Sequence, residues 1–209
     1  SFDLVKTKNV AGWFNKPEPT DSVIIICGHY DHLGEMGTDA YFPGADDNAS
    51  AIGAMIEMAE YLKNNNIEPK KNLLFVAFSG EEAGLKGALH FVNNRPIDKS
   101  RISYVINMDM IGFGNSGLHI WNGEKESRLA QMLISYNKEN KLVSALNVKE
   151  NTPNSDHFAF TEKGIRAIFL TTGTEPSVHY HTVFDNYENT ELSKMKEILQ
   201  LIIGALIPV

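Results

Sequence analysis

The stretch Val23-Ile24-Ile25-Ile26-Cys27-Gly28-His29-Tyr30-Asp31 decides the fold. Its opening run from Val23 to Cys27 is apolar and mostly β-branched, which reads as a strand buried on both faces, and polar chemistry begins where the run stops, at His29. A strand buried on both faces belongs in a sheet covered on each side by helices. Outward from it, Leu73–Phe78, Ile102–Met108 and Ala167–Leu170 read as further buried strands, with a shorter one at Val10–Phe14. Helical spacing recurs between them. Ile52, Met55, Ile56 and Ala59 share one stripe in Ala49–Tyr61, and Leu85–Val92, Ser127–Tyr136 and Glu191–Ile207 follow the same period. The expected fold is therefore α/β, a three-layer sandwich with a central mixed, mostly parallel sheet and helices on both faces.

The 209 residues suit one domain, expected to span the whole chain from 1 to 209. The chain opens at Ser1 without a Met, so an upstream segment is expected to have been removed. Loops at 64–66, 93–96 and 112–117 have turn chemistry, and no internal repeat is visible. A net charge of −7, with Lys70-Lys71 the longest basic cluster, argues against nucleic acid as a partner. No stretch approaches the roughly 18–20 apolar residues of a membrane span. The single cysteine, Cys27, sits inside an apolar run and reads as a small buried hydrophobe.

Open α/β sheets bind ligands beyond the carboxyl ends of their strands. His29 follows one predicted strand, Glu81 and Glu82 follow another, and Asp109 ends a third. Asp46 lies in a loop before a helix, and His181 in the long loop after Leu170. Together they supply what two divalent cations about 3.5–4 Å apart require: a carboxylate between them, further ligands on each side, and an acid/base group beside the bound water. His29 with Asp31 reads as a metal-binding imidazole with a carboxylate to orient its other nitrogen. Asp46 is assigned the bridge, Gly44 allowing a tight approach, while Asp47 and Asn48 cap or shape the loop. Adjacent side chains leaving a strand point apart, so Glu82 is read as a ligand and Glu81 as general base. Asp109, between Met108 and Met110, would be a costly core carboxylate unless paired or metal-bound. His179 and His181 share a side-chain phase, and only their neighbours decide which binds metal. His32 is treated as structural, and Asp185 as a supporting carboxylate or a helix cap. Met110, otherwise core filling, and Tyr180 are the candidates for contacting substrate. Ser155-Asp156-His157 is no catalytic triad, since consecutive residues cannot hydrogen-bond in series in those roles; Ser155 reads as an N-cap. Neither G-x-S-x-G nor H-E-x-x-H occurs.

With these residues in order, the chain resembles the M28 family of zinc aminopeptidases. The resemblance runs from about Asn9 to the C-terminus on GHYDHLG at 28–34, PGADDNASA at 43–51, SGEEAGLKGA at 79–88, NMDMIG at 107–112, SDHFAF at 155–160 and HYHTVFDNYENT at 179–190. It implies a phosphorylase/hydrolase-like fold and two zinc ions per chain, one held by His29 and Asp109, the other by Glu82 and His181. Asp46 would bridge them, Glu81 act as base and Asp31 support His29, with a cis peptide at Asp46-Asp47. The implied activity is exopeptidase hydrolysis of the N-terminal residue from peptide or aminoacyl substrates by a two-zinc-activated water. Export to the periplasm or the exterior goes with it by analogy with bacterial relatives. Many relatives carry extra N-terminal segments or insertions that form a lid, so the cleft of this compact chain is expected to be open or completed by sequence outside it. Pro176-Ser177-Val178, Asn186 and Glu188-Asn189 are also similar to glutaminyl cyclases, single-zinc acyltransferases on the same scaffold, which favour Trp where this chain has Tyr180. A carboxypeptidase or dipeptidase would need a cation for the substrate carboxylate, and no convincing Arg or Lys presents itself. A non-catalytic peptide-binding relative should have lost one of the key positions.

Overall fold

In a computed structural model, residues 6–14, 18, 21–94, 96–112, 117–172 and 178–208 are described. The strands, in chain order, are β1 (Val10–Trp13), β2 (Val23–His29), β3 (Gly34–Met36), β4 (Ala40–Phe42), β5 (Asn72–Phe78), β6 (Ile102–Met108), β7 (Leu118–Trp121), β8 (Leu146–Val148) and β9 (Ala167–Thr171). The helices are α1 (Ser50–Asn64), α2 (Lys86–Asn94), α3 (Ser127–Asn140), α4 (His157–Thr161) and α5 (Met195–Leu206).

Seven strands form one sheet in the order β1-β5-β2-β6-β9-β7-β8. The central strands β5, β2, β6 and β9 run parallel, β1 and β7 pair antiparallel to their inner neighbours, and β8 runs parallel to β7. This is the mixed, mostly parallel sheet expected. All seven residues of β2 are buried, because helices cover both faces of the strand. The two-residue period of the strand deals its side chains alternately to those faces. Ile24 and Ile26 join α1, α3 and α5 through Met58, Leu129, Leu133, Ile202 and Leu206. Ile25 and Cys27 face the other way, toward α2 and α4. There Phe78, Phe91 and Phe160 form an aromatic trio with ring centroids 5.6–6.0 Å apart. Each fully buried side chain of this size contributes about 1.5–3 kcal/mol relative to exposure.

Sequence periodicity finds the central strands and the longer helices but misses β7, β8 and the β3–β4 hairpin. These strands have three or four residues each, too few to establish a period. α1 starts at Ser50, after a wide turn over Ala45–Ala49 in which Asp47 and Asn48 leave helical geometry. α5 starts at Met195 rather than Glu191. The inner part of the expected turn at 112–117, and Pro176-Ser177, lie outside the described residues. No described helix is long and apolar enough to cross a membrane.

β2 and β6 approach closely beside the strand ends. A Cβ on Gly28 would lie 2.8 Å from the Met108 carbonyl oxygen and 3.1 Å from Ala51 Cβ, and backbone cannot yield as a flexible side chain would. Gly28→Ala should therefore cost about 1–3 kcal/mol, the range of an overpacked core. A denaturant titration giving the wild-type midpoint would contradict this close approach.

Candidate metal centre

The parallel central strands bring their carboxyl ends to one rim. β2 ends on His29, in register with Phe78 at the end of β5, and the chain after β5 turns through Ser79 and Gly80 to Glu81-Glu82. β6 runs into Asp109, whose N–H donates to the Leu170 carbonyl of β9. His29 Nε2 stands 3.2 Å from Asp47 Oδ1 and 3.4 Å from Asp109 Oδ1. His181 Nε2 stands 3.3 Å from Asp47 Oδ2 and 3.2 Å from Glu82 Oε2. Asp47 thus turns one oxygen to each group.

Asp46, expected at that central point, is not brought there. Its Oδ1 accepts the Gly112 N–H at 2.8 Å, and its carbonyl accepts the Ser50 hydroxyl. The reason is the irregular backbone of the wide turn, which directs the two neighbouring carboxylates apart. The cis peptide expected at Asp46-Asp47 is likewise found one residue on, at Asp47–Asn48. Asn48 shapes the loop as expected: its Nδ2 donates to the Met108 carbonyl and its Oδ1 accepts the Met110 N–H.

Hydrogen bonds from behind hold the acidic residues. Asp185 accepts the consecutive N–H groups of Asp46 and Asp47 at 2.8 and 3.0 Å. Asp31 accepts those of Glu81 and Glu82 at 3.2 and 3.3 Å. Asp31 therefore serves the Glu81-Glu82 turn more than His29, whose Nδ1 meets the Asp31 backbone carbonyl at 3.0 Å and its carboxylate only at 3.8 Å. Ser155 proves to be no N-cap. Its hydroxyl donates to Asp109 Oδ2 at 2.6 Å and accepts from Asn107 Nδ2 at 2.7 Å, while Asp156 takes the N-cap position of α4.

Of the other expected residues, Tyr180 stacks its ring on His181 at 3.8 Å, and His179 turns toward Phe184 at 6.3 Å. His181 is thus the imidazole that joins the rim. Met110 has a left-handed backbone (φ 53°) and is half-buried beside Asp109. His32, read as structural, joins Asp47 and Glu82 instead, with Nδ1 2.9 Å from Glu82 Oε1. The strand phase that would turn His32 away from His29 does not extend to it, because β2 ends at His29 and residues 30–33 belong to no strand.

These donors suit divalent zinc. Ligand atoms in a tetrahedron with bonds of roughly 2.0–2.1 Å stand about 3.3 Å apart, close to the separations at both groups. Asp109 Oδ1, Glu82 Oε1 and His181 Nε2 are buried atoms with no hydrogen-bond partner, an arrangement that a cation would relieve. Without a cation, burial pushes Glu81 up to about 9 and Asp46 up to about 7. Burial raises Asp47 as well. Burial works against a charged His29, but the Asp109 and Asp47 carboxylates outweigh it and hold its pKa well above the ordinary imidazole value.

Residues 9–206 match the family model described as Peptidase family M28. The chain is similar to aminopeptidase YwaD of Bacillus subtilis, with 27% identity over 98% of this chain and 45% of that protein. It is similar to an aminopeptidase of Pseudomonas aeruginosa, with 34% identity over 57% of this chain and 21% of the other. Among solved structures, BSAP, a zinc aminopeptidase from Bacillus subtilis, superposes with a TM-score of 0.82 and 26% identity over 95% of this chain and 49% of that one. The chain spans about half the length of YwaD and BSAP, and less of the Pseudomonas protein.

The raised carboxyl pKa values set a direction for stability against pH. Between the unfolded values near 4 and the folded values of about 7 for Asp46 and about 9 for Glu81, the folded state holds more protons than the unfolded, so stability falls as pH rises. His29 adds stability that is present below its unfolded pKa and lost as pH rises through its elevated folded value. Chelator-treated protein should therefore melt at a progressively lower temperature from pH 5 to pH 9. Added zinc should restore the midpoint most at the alkaline end, by about 2.7 kcal/mol per site at a hundredfold excess over Kd. A melting temperature of the metal-free protein that rises over this range would contradict the assignment.

Proposed function

Because the chain belongs to peptidase family M28, we propose that it is a metal-dependent exopeptidase that removes the N-terminal residue from peptides, with residues 1–209 as one catalytic domain. The observation that carries this reading is Asp47, whose two oxygens stand 3.2 and 3.3 Å from the imidazoles of His29 and His181. Asp47, rather than Asp46, is the bridging ligand. His29 and Asp109 complete one zinc site, and Glu82 and His181 the other. Bound there, two zinc ions would polarise the scissile carbonyl and lower the pKa of the attacking water from about 15.7 to about 7.

The remaining steps belong to the protein. Glu81 is half-buried beside Glu82 without being one of the donors, so its carboxylate is free to move a proton. As water oxygen attacks the carbonyl carbon, Glu81 takes the released proton; as the C–N bond breaks, it hands that proton to the leaving amine. Asp31 fixes the backbone from which Glu81 and Glu82 project. The free α-amino group of the substrate would be received by the acidic residues at the rim, which selects chain ends over internal bonds. Met110, next to Asp109, and Tyr180, stacked on His181, would contact the first side chain. Export to the periplasm or the exterior belongs to the same reading and is tested by cell fractionation.

Zinc analysis combined with p-nitroaniline release from a panel of aminoacyl anilides tests the proposal. Two zincs per chain and chelator-sensitive turnover are expected, whereas one zinc with cyclisation of N-terminal Gln would select the acyltransferase reading. Glu81→Gln should keep both zincs and lose turnover by about 10²–10⁴-fold; an active variant would remove Glu81 as base. Asp47→Ala should lose zinc from both sites while Asp46→Asn keeps it, and the reverse pattern would return the bridge to Asp46.

A further inference from the structure

His32 has no part in the assignment above, yet its side chain is only 7% exposed and neither ring nitrogen has a hydrogen-bond partner. Its Nδ1 lies 2.9 Å from Glu82 Oε1 and 3.7 Å from Asp47 Oδ2, the two carboxylates that also face His181. Glu82 Oε1 is itself a buried acceptor with no hydrogen bond. A ring nitrogen and a carboxylate oxygen this close hold together only with a proton or a cation between them. A shared cation would supply that link as two bonds. His32, Asp47 and Glu82 offer ligand atoms that all lie within 4.8 Å of one another. The His32 and His181 rings meet edge to face with centroids 5.7 Å apart, so two imidazoles border the same carboxylates.

The fold makes room for this. Gly44 is left-handed (φ 66°), and a Cβ there would stand 2.7 Å from His32 Cγ and 2.8 Å from His32 Cβ. Glycine lets the loop that carries Asp47 lie directly against the imidazole.

We propose that His32 is a further zinc ligand through Nδ1 on the Glu82–His181 side of the centre, an inference that rests on the two-metal reading of the same site. That side then has two imidazoles and two carboxylates, against one imidazole and two carboxylates on the His29–Asp109 side. Imidazole suits zinc, whereas carboxylate and water suit magnesium, calcium and manganese. The His32 side is therefore the one that retains zinc against a chelator and discriminates most strongly against hard cations.

The test takes the whole chain, wild type, His32→Ala and His32→Gln, stripped of metal and titrated with zinc in competition with a chromophoric chelator. Visible spectra of the Co²⁺-loaded proteins are recorded alongside. Wild type should bind two zincs, the tighter of which is weakened by more than about 100-fold in both variants, beyond the roughly 10–100-fold that loss of an outer hydrogen-bond partner costs. The Co²⁺ bands of that site should change in both. Circular dichroism of the metal-free proteins checks that the fold is kept, and His32→Gln, closer in size, guards against a packing defect in His32→Ala. If His32→Gln keeps wild-type affinity and Co²⁺ spectrum, the imidazole is not a ligand and the proposal is overturned. A wild-type chain that binds fewer than two zincs overturns the two-metal reading, and this proposal with it, an outcome distinct from variants that keep both.

Discussion

Four carboxylates, Asp47 and Asp109 buried and Glu81 and Glu82 half-buried, crowd the carboxyl ends of β2, β5 and β6, and the rest of the site is arranged to hold that charge in place. Mutual repulsion would drive such groups apart or leave them protonated. Two further carboxylates prevent the first outcome by gripping backbone. Asp185 takes two successive amides at Asp46-Asp47, and Asp31 takes two at Glu81-Glu82. The two acidic pairs are thus held by the same device from different loops. Ser155 does the equivalent for Asp109, engaging one oxygen and leaving the other open to the rim.

The architecture explains why these clamps meet. Parallel strands deliver their polar continuations to the same edge, and helices on both faces keep water from the strands themselves. The aromatic trio behind β5 and the packing of α1 and α5 behind β2 make that edge stiff. A stiff edge matters for groups whose spacing has to be kept to fractions of an ångström.

Much of this was legible in the sequence because burial on both faces leaves a plain signature. Val23–Cys27 and Ile102–Met108 read as buried strands and are central strands of the sheet, and the polar residues that follow them inherit a shared rim. The rest was hidden where the backbone has no period. Asp46 and Asp47 are equivalent as letters, and only the irregular turn over Ala45–Ala49 decides which carboxylate faces His29. His32 lies beyond the last residue of β2, where the strand period no longer says which way a side chain points. Ser155 showed itself only as a cap-like serine, since its bond to Asp109 joins positions 46 residues apart.

Asn107 links the rim to the interior. Its Nδ2 donates to Ser155, which in turn holds Asp109, and its Oδ1 accepts from the Cys27 thiol in the buried seam between β2 and β6. Cys27 is the chain's one cysteine, and burial pushes its pKa well above the ordinary thiol value. A thiol reagent reaches it only when α2 and α4 lift from the sheet or those two strands part. The protein thus carries its own gauge beneath the site: the labelling rate of one sulfur counts how often the platform under His29 and Asp109 opens.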